Sequence, residues 1–366
     1  MFIKSIYLAN FRNYDNLKVD LQNGINIIVG ENGQGKTNLL EAIYVWGLTK
    51  SHRSFIDNNL IKEGSKKSII QGIIEKDDID TKYEIEIGTQ KSLKIDNDSI
   101  KKITDYISNI NIIIFYPDDL ELIKGSPNLR RRYVNMELSQ LQSNYMVFLN
   151  DYNKILKMRN DYLKQQYIDD SYLNILTNYL IEKATLITVM RNRFINHLNE
   201  IVEGIYENIS SLKNFNIKYK TNLKFTKLEK EEIKNKYEHT FKSNIELEKK
   251  FKTTMFGPHK DDIEFYIGNY NLKTFGSQGQ QRMAVLALKL AEIEIFKKYK
   301  STVPILLLDD VFSELDDKKK NNLLKYISNN IQTIITTTDL NNIDDSIVND
   351  SKVIEIVNGN IKAEVK

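Results

Sequence analysis

Apolar and polar residues alternate over 2–9 and again over 17–21, the period of a strand with one face against a core. Ile25-Asn26-Ile27-Ile28-Val29 is instead a short apolar run that stops at Gly30, as in a strand buried on both faces. The spacing of Leu39, Leu40, Ala42, Ile43 and Trp46 predicts an amphipathic helix over 37–48. Segments 68–74, 82–87 and 92–95 read as a meander of strands. A further buried strand over 111–115 ends at Tyr116-Pro117.

The pattern then changes period. Leu138, Leu141, Tyr145, Phe148, Leu149, Tyr152, Ile155 and Leu156 follow steps of three and four, as do Leu176, Tyr179, Leu180, Ile187, Phe194, Leu198, Ile201 and Ile205. Two long antiparallel helices would bury these stripes against each other. A short strand is expected over 214–220 and a solvated, charge-dense helix over 229–252. Mixed periods return after that. Strands are predicted over 263–267, 272–275, 304–308 and 332–337, with helices over 277–299 and 318–327. A final hairpin, 353–357 with 361–364, turns at Asn358-Gly359, both of which tolerate positive φ.

The expected fold is therefore α/β, with a mixed sheet and flanking helices interrupted by a large, mainly helical insertion. Residues 1–117 and 253–366 would build the first lobe and residues 118–252 the second.

Two motifs carry chemistry. Gly30-Glu31-Asn32-Gly33-Gln34-Gly35-Lys36-Thr37 fits G-x-x-x-x-G-K-[ST], entered by a buried strand and left by a helix. Its glycines let backbone N–H groups wrap a β-phosphate, and the helix start adds its positive end. Lys36 reaches the β- and γ-phosphates of ATP, and the Thr37 hydroxyl is a ligand for Mg²⁺. Far along the chain, Ile305-Leu306-Leu307-Leu308-Asp309-Asp310 reads as a strand delivering two carboxylates at its C-terminal end. Asp309 is the expected Mg²⁺ partner, and Asp310 stands where a general base would orient water. The glycines do not fit G-x-G-x-x-G, which excludes a dinucleotide-binding reading. Between the motifs, Ser277 and Gln280 match a capping box, with Gly279 between them, at the start of a helix. A capped helix start is itself an anion site.

The order phosphate loop, helical insertion, Ser-x-Gly-Gln, then Leu-Asp-Asp resembles that of ABC-type ATPases. Asp309–Asp316 is similar to their acidic strand end followed by the D-loop. The likeness narrows to the RecF family of bacterial DNA replication and repair proteins, among the SMC/RecF-type ATPases, and covers essentially the whole chain. It is carried by Leu8-Ala9-Asn10-Phe11-Arg12-Asn13-Tyr14, Lys50-Ser51-His52-Arg53, Pro117-Asp118-Asp119-Leu120, Lys124-Gly125-Ser126-Pro127, Arg130-Arg131-Arg132, Gly257-Pro258-His259-Lys260-Asp261-Asp262, Ser277–Arg282 and Leu308-Asp309-Asp310. The resemblance implies an ATP-dependent homodimer in which Ser277, Gly279 and Gln280 of one protomer close on the γ-phosphate held by Lys36 of another. It implies DNA binding in the ATP state and work with RecR and RecO to load RecA at single-strand gaps. It also brings Arg12 to the nucleotide phosphates. Compared with transport ATPases, Asp310 stands where many have Glu, which implies slow hydrolysis. No switch glutamine follows the 111–115 strand, and Thr336-Thr337-Thr338-Asp339 replaces the switch histidine, with Thr338 the candidate γ-phosphate sensor. An ATPase subunit of a membrane transporter, or an ATP-binding scaffold without hydrolysis, are the competing readings.

Composition bounds these readings. In 366 residues, 41% are hydrophobic and 28% charged, an ordinary globular balance. There is no cysteine, which excludes disulfides and thiolate metal sites and fits the cytoplasm. No signal-peptide pattern opens the chain, and no apolar run reaches the roughly 18 residues of a membrane span, so a transport role would need a separate subunit. A net charge of +3 does not by itself argue for nucleic acid. The local clusters Lys50, His52 and Arg53, and Arg130, Arg131 and Arg132, are the candidate DNA contacts. Lys154, Lys157 and Arg159 read as a solvated helix face, and Arg191 with Arg193 forms a further cluster.

Overall fold

The computed structural model describes residues 1–54, 56–107, 109–225, 228–300, 302–314, 320, 323, 327, 331–340 and 343–365. They divide into two compact units. The first comprises Met1–Asp119, Asn208–Ser210 and Lys289–Lys366, and the second Leu120–Glu207 and Ser211–Leu288.

The first unit opens with strands β1 (Phe2–Phe11), β2 (Tyr14–Asp20) and β3 (Ile25–Val29) and helix α1 (Lys36–Leu48). β4 (Ser68–Lys76), β5 (Ile79–Ile87), β6 (Ser92–Ile95), β7 (Asp98–Ser99), helix α2 (Ile103–Ile107) and β8 (Ile112–Phe115) follow. Alternation of apolar and polar positions makes β1, β2 and β4–β7 an antiparallel sheet of order β2-β1-β4-β5-β6-β7. The expected meander is present and is extended at one edge by the opening hairpin.

The second sheet of this unit has order β15-β14-β3-β13-β12-β8, where β12 is Ile305–Asp309, β13 Thr333–Thr337, β14 Lys352–Val357 and β15 Asn360–Val365. Strands β14, β3, β13, β12 and β8 run parallel and only the β14–β15 hairpin is antiparallel. β12 and β13 are buried along their whole length, β12 as an apolar run ending in Asp309 and β13 with three threonines among its five residues. The phosphate-loop strand β3 lies between β13 and β14.

Helix α1 packs against β1, β4 and β5 of one sheet and against β8, β12 and β13 of the other. It is therefore buried on nearly every side, not amphipathic, because a layer of sheet covers each face. Trp46 is fully buried, and its indole N–H donates to Tyr83 O at 3.0 Å. Gly72 on β4 makes room for that ring: a Cβ there would lie 2.4 Å from Trp46.

The second unit holds α3 (Glu121–Lys124), α4 (Pro127–Leu141), α5 (Ser143–Leu163), α6 (Asp170–Ser210), β9 (Phe215–Lys220), α7 (Lys230–Phe251), β10 (Asp262–Ile267), β11 (Tyr270–Asn271), α8 (Leu272–Phe275) and the start of α9 (Gln278–Lys300). The expected helix through 138–156 is broken into α4 and α5 at Gln142, whose backbone is extended. α5 and α6 are antiparallel, since Tyr145 bonds Arg191 while Arg159, further along α5, bonds Thr177, nearer the start of α6. Residues 272–275 form a turn of helix and not the expected strand, because the Asn271 side chain accepts from Lys273 N at 2.9 Å and caps it. The expected helix over 318–327 falls mostly outside the described residues, as do Leu315 and Asp316 of the D-loop resemblance.

Candidate functional site

The phosphate loop links β3 to α1 in the first unit. Gly35 caps the helix in a left-handed conformation at φ 115°, and a Cβ on it would press to 2.7 Å from the Tyr14 hydroxyl. Gly30 is required by close approach instead, since a Cβ would sit 2.4 Å from Ile356 O. The loop is braced from outside. Tyr14 Oη donates to Gly35 O at 2.9 Å, and the β14–β15 turn donates Gly359 N to Gln34 O at 3.1 Å and Asn358 N to Gln34 Oε1 at 2.5 Å. The hairpin Asn358-Gly359 thus fixes the phosphate loop as well as reversing the chain.

Lys36 is buried, and its Nζ donates to Gly30 O at 2.5 Å and Glu31 O at 2.8 Å, which folds the ammonium over its own loop. Burial lowers its pKa, and the nearby Asp310 and Asp309 carboxylates oppose that. Thr37 Oγ1 donates to Asp309 Oδ1 at 2.9 Å. Thr336 Oγ1, at the end of β13, donates to the same oxygen at 2.7 Å and accepts from Asp310 N at 3.0 Å. One threonine therefore fixes both acidic residues. Asp310 itself leaves the strand at φ 50°, a strained geometry for a non-glycine residue. Burial raises the pKa of Asp309, against the hydroxyls of Thr336 and Thr37 and the charge of Arg53.

A hydroxyl and a carboxylate at this spacing form an oxygen donor pair suited to a hard divalent cation. Among the described residues no group of three or more His, Cys, Asp or Glu forms a complete cage. Thr37 and Asp309 form the oxygen pair that would hold a cation such as Mg²⁺, whose other ligands are ordinarily waters and phosphate oxygens.

With this geometry established, comparison with known proteins decides the family. The model of the RecF/RecN/SMC N terminal domain matches residues 2–361. The DNA replication and repair protein RecF of an Exiguobacterium species is 40% identical over 370 residues, covering 100% of both chains. The RecF of Bacillus cereus is 39% identical, covering 100% of this chain and 99% of its own. The chain belongs to the RecF family. A solved structure of the recombination mediator protein RecF with ATP, in the RecFOR pathway, superposes with a TM-score of 0.92 at 31% identity, covering 100% of this chain and 98% of the other. An Smc head bound to the C-winged helix domain of ScpA, at 16% identity and TM-score 0.56, shares the fold. The fold is the SMC/RecF ATPase head, mixed α/β.

Several residues singled out in this RecF-family sequence take other places than expected. Thr338 lies beyond β13, exposed, with its hydroxyl 3.3 Å from Asp339 Oδ2, and it is Thr336 that bonds the acidic pair. Arg130 is buried. Its Nε and Nη2 form a bidentate pair with Asp262 at 2.6 and 2.9 Å, and Nη1 donates to Gly125 O at 3.0 Å. A guanidinium used in this way has no edge for a DNA phosphate, so its expected role gives way to bracing the second unit. Arg131 donates to Asp261 O at 2.7 Å, and Arg132 is half-buried. Arg159 is fully buried against Glu248 at 2.6 Å, not on a solvated face, and Arg191 is buried with Tyr145, Asn135 and Pro258.

His52 packs on Tyr44 and Tyr116 with ring centroids 5.1 and 4.6 Å apart, while Lys50 is exposed. Arg53 lies beside the phosphate loop, with Nη1 2.9 Å from Asn38 Oδ1 and 3.2 Å from Glu41 Oε2. Arg12 adopts φ 53° and grips Glu41 through Nε and Nη2 at 2.9 and 2.8 Å.

In the second unit, Ser277 and Gln280 form the expected capping box. Gln280 Oε1 accepts from Ser277 N at 2.9 Å, and Ser277 Oγ accepts from Gln280 N at 3.3 Å. Ser277 and Gly279 are exposed, and a Cβ on Gly279 would meet nothing within 4 Å. Sequence reasoning missed Glu41, Asn13 and Asn38. Glu41 carried a signal: it is the one carboxylate in the helix, set among apolar residues one turn beyond Thr37.

Proposed function

We propose that this chain is an ATP-dependent DNA-binding repair protein that dimerises on ATP and hydrolyses it slowly. The observation that carries the reading is the convergence of Lys36, Thr37, Asp309 and Thr336 at the ends of α1, β12 and β13. The phosphate-loop amides and Lys36 bind the triphosphate, and Thr37 and Asp309 hold Mg²⁺, which neutralises charge on the phosphates. Asp310, placed one residue beyond Asp309, orients the attacking water. Its carboxylate is one methylene shorter than glutamate, which suits a timing switch better than a pump.

The exposed Ser277–Gly279 helix start supports closure in trans. Ser277, Gln278 and Gly279 are exposed, and N–H groups at a helix start donate to phosphate oxygens, here those held by Lys36 of a second protomer. Dimerisation would place two weakly basic surfaces side by side and raise the local field for duplex and gapped DNA, with RecR, RecO and RecA acting in the same pathway.

Sedimentation of wild type and Lys36→Ala, with and without Mg-ATP and gapped duplex DNA, tests the reading. An ATP-dependent dimer in the wild type alone supports it. Equal mass with and without ATP, together with equal DNA affinity in both states, overturns it.

A further inference from the structure

We propose that Glu41 is a positioning residue that anchors Arg12 and aims Arg53 at the phosphate end of the nucleotide site; the inference rests on the nucleotide reading above. No phosphate-loop motif requires a carboxylate at this place. Glu41 follows Thr37 by one helical turn on the same face of α1, and its side chain is 0% exposed. A carboxylate so buried must be paired. Burial pushes its pKa up, but hydrogen bonds from Arg12 and Ser51 and the charges of Arg12 and Arg53 outweigh that and hold it below the ordinary value.

The pairing exceeds what neutralising one charge needs. Arg12 takes both carboxylate oxygens and gives Nη1 to Asn59 O at 2.7 Å, Ser51 Oγ donates to Oε1 at 2.5 Å, and Arg53 reaches Oε2 at 3.2 Å. Ser51 Oγ also accepts from Arg53 N and Ser54 N at 2.9 Å each, so the same carboxylate sets the loop that carries Arg53. Two guanidiniums share one acid and keep a surplus of positive charge. That surplus is not sealed in, because the Arg12 and Arg53 side chains are 23% and 40% exposed.

Its direction is fixed by neighbours. Arg53 Nη1 bonds Asn38, the residue after Thr37, and Asn38 Nδ2 donates to Asn13 Oδ1 at 2.8 Å. Asn13 Nδ2 in turn lies 2.8 Å from where a Cβ on Gly35 would be. Arg53 commits only Nη1; its Nε and Nη2 make no hydrogen bond among the described residues. A compact polyanion beside the phosphate loop is the ligand class that such a charge surplus and such open donors fit. Arg53 then serves the nucleotide and not DNA.

The test is calorimetric titration of Mg-ATP into wild type, Lys36→Ala, Glu41→Gln, Arg12→Ala/Arg53→Ala and the triple variant joining the last two, with circular dichroism to confirm folding. Glu41→Gln is expected to weaken Mg-ATP binding about tenfold or more, as loss of charge-assisted bonds does. In the Arg12→Ala/Arg53→Ala background the same change is expected to add almost nothing, because the carboxylate acts through those side chains. A merely structural Glu41 would give costs that add, and that outcome overturns the inference. So does wild-type affinity in folded Glu41→Gln while Lys36→Ala has lost binding, a result that leaves the nucleotide reading standing. Failure of the wild type to bind Mg-ATP removes both. Should Glu41→Gln not fold, Ser51→Ala, which takes away one bond to the same oxygen, replaces it with the same expectations.

Discussion

Thr37 and Asp309 stand 272 positions apart in the chain, yet the threonine hydroxyl lies 2.9 Å from the carboxylate. One comes from the first turn of α1 and the other from the end of β12. The pairing depends on α1 packing against β12 and β13 in one unit, so the chemistry is only as exact as that packing.

Lys36→Ala is expected to keep the fold and lose about 10–100-fold in Mg-ATP affinity, the value of one or two charge-assisted hydrogen bonds. The lysine bonds carbonyls of its own loop and no distant element. Titration with Mg-ATP beside a thermal melt checks it. A large drop in the melting temperature would mark the loss as structural.

Asp310→Asn should retain Mg-ATP binding while hydrolysis falls by about 10²-fold or more, the usual range for loss of a general base. Single-turnover rates on enzyme saturated with Mg-ATP separate the two effects. Unchanged turnover would point to another base.

Gly279→Arg should fold normally as a monomer, since nothing lies within 4 Å of the added Cβ. It should abolish the ATP-dependent dimer by crowding the helix start. Sedimentation velocity with Mg-ATP reads this directly, and a persistent dimer would remove Ser277–Gln280 from the interface.

Arg130→Ala is expected to destabilise the protein by about 3–5 kcal/mol, because it strands the Asp262 carboxylate beside a buried site. Lys50→Ala, at an exposed position, should leave the melting temperature unchanged and shallow the salt dependence of DNA binding by about one charge. Chemical denaturation and DNA titrations at several salt concentrations check the pair.

His259 hydrogen-bonds the Tyr152 hydroxyl through Nδ1 at 2.5 Å, and burial lowers its pKa from 6.5 to about 4. The folded chain therefore binds this proton less readily than the unfolded chain. Its contribution is fully present above pH 6.5 and is lost as pH falls from 6.5 to 4. Asp119, which burial raises to about 6, works in the opposite sense over the same range. The informative quantity is the difference between wild type and His259→Gln. The wild type should lose about 1–2 kcal/mol more between pH 6.5 and 4.5. Urea melts at the two pH values measure it, and equal losses would show that the imidazole titrates normally.

Periodicity read most strands to within two or three residues, because alternating or unbroken apolar runs report which faces a sheet buries. It failed where one local bond outweighed pattern. The Asn271 cap turned 272–275 into a helix, and extended backbone at Gln142 split one stripe into two helices. At the site, Lys36, Thr37, Asp309 and Asp310 were legible from spacing because a phosphate loop and an acidic strand end have fixed order. Glu41 and Thr336 were not, since their partners lie far away in sequence. The burial of Arg130, Arg159 and Arg191 was hidden for the same reason: charge clusters along a chain say nothing about acids contributed by distant segments.

The strand that leads into the phosphate loop, Ile25–Val29, has both of its sheet neighbours in Thr333–Thr337 and Lys352–Val357. About 300 residues are translated after this strand before either neighbour exists. Closure of so long a loop is slow and comes late. Nascent or prematurely ended chains therefore cannot assemble the pocket, and translation itself guards against half-made molecules that capture nucleotide.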